Sequence, residues 1–116
     1  MSRNKNESIT MYTLNQEISE WIKQDHENPG AWSMFTLITL KKLKQDYDIT
    51  MQYLAQISKE QFDFISPIFD EIVFYFQRLE MVELIKNLYN KFYGENKDTE
   101  LYHDSIEGLD NCIKNK

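Results

Sequence analysis

Three glycines and two prolines are all that this 116-residue chain holds. A β-sandwich or barrel consumes turn residues at roughly every 8–12 positions, and this chain lacks the stock for it. The sequence therefore predicts an all-α protein. Its apolar share suffices for a core: Leu, Ile, Val and Phe number 31, about 27% of the chain, above the under-20% level that accompanies disorder. A chain of this length fits one domain and buries about two-thirds of its unfolded surface without a disulfide or structural metal. The expectation is a compact bundle of five or six helices. Residues 1–8, polar and without an apolar period, form a flexible N-terminal arm, and 9–116 a single helical domain.

Helical spacing carries the rest of the organisation. Met11, Leu14, Ile18, Trp21 and Ile22 recur at three- and four-residue steps, which predicts a helix over about 10–24. His26-Glu-Asn-Pro-Gly30 interrupts it. Asn28 as cap and Pro29 at the first position then predict a second helix over about 29–45. Its wide apolar arc (Trp32, Phe35, Ile38, with Leu37, Leu40 and Leu43) places it near the centre of the domain. Asp46-Tyr-Asp48 breaks the pattern before a shorter helix bearing Ile49, Tyr53, Leu54 and Ile57. Ser58-Lys-Glu-Gln61 has the form of a capping box, and Ser66-Pro67 repeats the start signal, so 59–65 is a short helix or a single turn. From Pro67 to Phe92 the apolar period holds for about seven turns, as one helix or as two broken near Arg78-Leu-Glu80, with Gly94 as the terminating C′ residue. A last helix begins after Asp98 and carries Leu101, Tyr102, Ile106, Leu109, Cys112 and Ile113. Gly108 inside it costs about 1 kcal/mol relative to Ala, and bending or fraying is expected there.

Charge narrows the function classes. Nineteen acids against thirteen bases leave a net charge of −6, the wrong sign for direct nucleic-acid binding, which neutralises phosphates with Lys and Arg. The cluster Lys41, Lys42 and Lys44 reads as a solvated helix face. The chain opens without the apolar stretch of a signal peptide and has no run of apolar residues long enough for a membrane span, so no membrane association and a cytoplasmic location are expected. A single cysteine, Cys112, suits a reducing compartment and reads as a small core residue.

No catalytic, metal or cofactor motif emerges, and the protein is expected not to be an enzyme. His26 sits near a helix C-terminus, where a partly positive ring is favoured. His103 and Glu107 share one helical face, but two ligands do not make a metal site. Carboxylate pairs such as Asp70-Glu71 and Glu80 with Glu83 read as solvent-facing charge rather than a glycosidase dyad.

Two features remain. Phe69, Phe74, Tyr75 and Phe76 span about 220° of one helix, more than an inward face can hold, so at least one ring meets solvent or another surface. Residues 95–110 carry Glu95, Asp98, Glu100, Asp104, Glu107 and Asp110 against Lys97 alone, and so supply five of the six net negative charges. Glu100, Asp104 and Glu107 step along one side of the last helix. A partner-binding face is therefore placed at Asp98, Glu100, Tyr102, Asp104, Glu107, Asp110 and Tyr75. Tyrosine gives contact area with few rotamers, and carboxylates steer a basic partner.

On these acids and on the aromatics of 69–76, the chain resembles in size and composition the immunity proteins of bacterial contact-dependent growth inhibition and related polymorphic toxin systems. No sequence motif takes part in the resemblance. It implies a monomeric inhibitor that occludes a cognate protein toxin, a basic nuclease-type domain, by stoichiometric binding. The alternative is a helical regulatory or scaffold module, such as a phage-encoded inhibitor or a homodimeric bundle protein.

Overall fold

A computed structural model describes residues 9–94 and 100–113, except the side chains of 100–103 and 105. The arm expected at 1–8 lies outside the described residues. All regular structure among them is helical, and the all-α expectation holds. The chain divides into two compact units, Met1–Ile65 and Ser66–Lys116.

The first unit contains α1 (Met11–Glu27), α2 (Ala31–Leu43), α3 (Tyr47–Ala55) and α4 (Lys59–Ile65). Thr10 caps α1 and exchanges hydrogen bonds with Thr13 in a capping box. The helix outruns its expected end, and residues 28–31 then turn. Asn28 donates its N–H to Gln24 O, and its carbonyl accepts from Ala31 N–H at 3.0 Å. Pro29 and Gly30 occupy the corner, Gly30 at φ 105°, the left-handed value that a type II turn requires at its third residue. The expected helix start at Pro29 is thus corrected: Pro-Gly serves the reversal, and α2 begins at Ala31. Asp46 caps α3 by accepting from Ile49 N–H at 2.9 Å.

The placement of α2 also differs from expectation. It buries Phe35, Thr39, Leu40 and Leu43, while Leu37 is 68% exposed and Met34 51%. Its apolar arc is wider than the face its neighbours cover, so the helix is not central. On the covered side Phe35 packs edge-on against Phe64, ring centroids 4.8 Å apart, and lies between Trp21 and Trp32. The Trp32 indole N–H donates to Phe64 O.

α1, α3 and α4 meet over a buried polar group. The Tyr53 hydroxyl, fully enclosed, donates to Gln61 Oε1 at 2.6 Å. Gln61 Nε2 in turn donates to Ser19 Oγ at 2.8 Å and to Asn15 O. Half of the capping box expected at Ser58 therefore forms: the Ser58 hydroxyl accepts from Gln61 N–H, but the Gln61 amide is turned inward to satisfy Tyr53. Burial pushes the Tyr53 phenol well above its ordinary range, so it stays a donor.

The second unit opens with a 3-10 turn, Ser66–Ile68, which leads directly into α5 (Phe69–Phe76), followed by α6 (Leu79–Tyr93) and α7 (Glu100–Asn111). The start signal at Ser66-Pro67 thus makes a tighter turn ahead of the α-helix. The apolar run from Pro67 forms two helices. Gln77 breaks it in the left-handed conformation (φ 55°, ψ 44°), unusual for a non-glycine residue. Its side-chain amide donates to Phe74 O at 2.8 Å and to Cys112 O at 2.7 Å. α7 packs against both α5 and α6, burying Leu109 and Ile113. Gly94 terminates α6 as expected, but at the cap itself rather than at C′, and in the right-handed conformation (φ −59°). Cys112 follows the end of α7 and is partly buried, so the core placement expected for it holds only in part.

α7 runs unbroken through Gly108, where bending was expected. A Cβ added at Gly108 meets nothing nearer than the Asp70 carboxylate at 3.9 Å, an ordinary contact. Gly108→Ala should therefore stabilise the protein by about 0.5–1 kcal/mol, read as a raised urea midpoint at constant m. Tyr53→Phe should cost about 1–3 kcal/mol by stranding the buried Gln61 acceptor. Adding Gln61→Leu to it should cost less than the two single changes together, because the two groups partner each other. Additive denaturation midpoints would show that they do not.

Candidate functional site

The acidic stretch and the exposed aromatics both fall in the second unit, but the structure treats the expected site residues unequally. Asp98 lies outside the described residues. Glu100 and Tyr102 belong to the described backbone of α7. Asp104 and Glu107 are exposed, three positions apart on the side of α7 away from Leu109. Asp110 is half-buried and forms an ion pair with Lys86 of α6, Nζ to Oδ1 2.9 Å. Its charge is neutralised locally, and it joins α7 to α6.

Two acids of α7, Glu107 and Asp110, are placed against the helix dipole, whereas Glu100 opens the helix at its favourable end,. Backbone carbonyls left unpaired at a helix C-terminus carry partial negative charge and favour cations. α7 ends at Asn111 and has no basic residue in its last turn, yet Glu107 and Asp110 stand at that end. Lys86 compensates Asp110. Glu107 has no comparable ion pair among the described residues, so helix stability does not account for it. Asp70 and Glu71 differ, since both lie in the first turn of α5, where the dipole favours them.

Gly108 is the place where α7 comes up to α5, facing Asp70. On α5 the rings divide as the arc requires: Phe69 is buried and packs edge-on to Tyr89, whereas Tyr75 is 55% exposed and Phe74 51%. Tyr75 leans edge-on against Phe76, centroids 5.1 Å apart. Leu79, just past the Gln77 break, is also exposed. Phe74 and Leu79 were not among the expected site residues. The excess of rings over available arc signalled that something on α5 must be exposed, but Leu79 is exposed only because the helix stops at Gln77.

Among the described residues no group of three or more His, Cys, Asp or Glu side chains is placed to hold a metal, and no helix is long and apolar enough to cross a membrane. The Cys112 thiol is pushed up by burial and then by the Asp70 carboxylate, the reverse of what a nucleophile needs. His26 is exposed in the last turn of α1. What the second unit offers is therefore a surface: exposed acids on α5 and α7 and large exposed apolar side chains where α5 gives way to α6. Comparison with protein families, curated proteins and solved structures gives no match.

Proposed function

We propose that this protein is an immunity protein, a stoichiometric inhibitor that binds a basic, nuclease-type toxin domain through the acids of α7 and the aromatic end of α5. The observation that carries the proposal is the exposed Glu107, held against its own helix dipole, beside Asp104 on a helix packed against the one that exposes Phe74 and Tyr75. Glu27 likewise ends α1 against its dipole; what recommends Glu107 is the conjunction of such a charge with exposed rings on the neighbouring helix, which suits steering of a cationic partner. An inhibitor must capture its toxin before the toxin turns over, and opposite charges raise association rates by orders of magnitude at low salt. The rings then supply desolvated contact that slows release. The proposal places the complex in the cytoplasm, in keeping with a lone cysteine.

The deciding experiment expresses a basic toxin domain encoded beside this gene, with and without the present chain. Restored growth and a one-to-one complex are expected; a chain that neither binds nor rescues would overturn the proposal. Reversing Glu100, Asp104 and Glu107 to Lys should slow association about tenfold at low salt and flatten its salt dependence. Asp110→Asn, whose parent carboxylate is occupied by Lys86, should leave the association rate within about twofold. Glu107→Lys alone separates the two effects: it should raise folding stability by about 0.3–1 kcal/mol while slowing association. A variant that is both less stable and unchanged in association would remove Glu107 from the proposed face.

A further inference from the structure

The first unit carries a separate apolar surface that the proposed inhibitory face does not use. Met34, Leu37 and Ile38 are exposed on α2, on the side opposite Phe35, Thr39 and Leu43. With exposed Lys41 they form one stripe of the i, i+3, i+4, i+7 kind,. Beside the stripe runs a groove between α1 and α2, lined by Glu20, Trp21, Gln24 and Ile38 among others. The two helices are antiparallel, because Glu17 meets Thr39 and Lys42 while Trp21 meets Phe35. Glu17 is thereby committed, which leaves Glu20 as the second acid of the groove.

The signs of the charges identify the occupant. A uniformly basic partner drawn to Glu20 is repelled by Lys41, and a uniformly acidic one by Glu20. The surface that fits is one with an apolar centre, a base at one end and an acid along its rim, which is the same surface turned by a two-fold axis. We infer that a second copy of this chain docks on this stripe, α2 against α2 in antiparallel sense about an axis between Leu37 and Ile38. That rotation sets Leu37 against Ile38 of the copy and brings Lys41 alongside Met34, within a turn of the Glu20 rim. The antiparallel sense also opposes the two helix dipoles favourably. The dimer replaces the monomer that the resemblance implied. It uses no residue of α5 or α7, so it stands or falls independently of the toxin.

Sedimentation equilibrium of the full chain from about 5 to about 500 μM, the range in which small interfaces associate, tests it. A concentration-dependent rise to twice the chain mass is expected. Leu37→Asp should abolish the rise with unchanged helical circular dichroism, since Leu37 takes little part in the core. Lys41→Glu should weaken association roughly fivefold to tenfold, and the charge-swapped Lys41→Glu with Glu20→Lys should restore it to within about threefold. A wild-type chain that remains monomeric throughout, whatever else covers α2, overturns the inference. So does a dimer that survives Leu37→Asp, or a charge swap that fails to restore association.

Discussion

The second unit depends on one backbone conformation. Without the left-handed Gln77, the apolar period from Pro67 to Phe92 would continue as a straight helix about 40 Å long, and a twelve-residue α7, about 18 Å, could lie against only part of it. With the break, α5 and α6 take separate directions and α7 packs on both. Left-handed geometry costs a non-glycine residue about 1–2 kcal/mol. The Gln77 amide offsets this by closing the last turn of α5 at Phe74 O and holding the end of α7 at Cys112 O. Glycine would adopt the conformation more easily but could not make the second connection. The same break leaves Leu79 exposed beyond Phe74 and Tyr75, which the arc of α5 already turns outward, so the backbone feature that organises the core also extends the apolar part of the candidate site.

The first unit is organised differently, around a polar group in the core. Tyr53, Gln61, Ser19 and the Asn15 carbonyl form one chain of hydrogen bonds across α1, α3 and α4. Apolar side chains on these helices tolerate small slips in register, because dispersion and area burial are non-directional. A buried phenol and amide do not, since an unmet donor or acceptor costs about 1–3 kcal/mol. The Glu17 bridge to Thr39 and Lys42 does the same for α1 and α2 nearer the surface.

Helix existence was legible in the sequence wherever an apolar stripe had one side: α1, α3, α6 and α7 follow their periods closely. Features set by competition between partners were not. Asn28-Pro29-Gly30 satisfies the local rules for a helix start and for a turn, and only the chain reversal between α1 and α2 decides between them. Gln61 satisfies the capping-box pattern, yet Tyr53, eight residues earlier, takes its side chain. Gln77 has no local signature of a left-handed residue, because its hydrogen-bond acceptor at Cys112 is 35 positions away. The exposure of Met34 and Leu37 escaped for a related reason: an arc of apolar residues states how much surface a helix offers, and only its neighbours determine how much is covered. The acidic row was visible as composition, but its opposition to the dipole appears only once the end of α7 is fixed at Asn111.

That opposition separates two kinds of acid on a helix. Carboxylates at Asp48, Asp70, Glu71 and Glu80 occupy first turns, and Asp46 is a cap; helix physics alone accounts for them. Asp110 lies at the unfavourable end but is neutralised by Lys86, so the pair serves packing between α6 and α7. Glu107 has neither the favourable position nor, among the described residues, a compensating base, and Asp104 continues its line on the same exposed side. The penalty is a few tenths of a kcal/mol for each such charge, small against the roughly 5–15 kcal/mol of a folded domain. It is large enough to be selected against where nothing else favours it, since most surface changes there would be neutral or stabilising. Asp25 and Glu27 stand at the corresponding end of α1, so opposition to a helix dipole is not peculiar to α7. Within the second unit, however, the exposed acid that helix stability leaves unexplained lies on the helix packed against the one that exposes Phe74 and Tyr75, and that coincidence gives the negative charge a place to act.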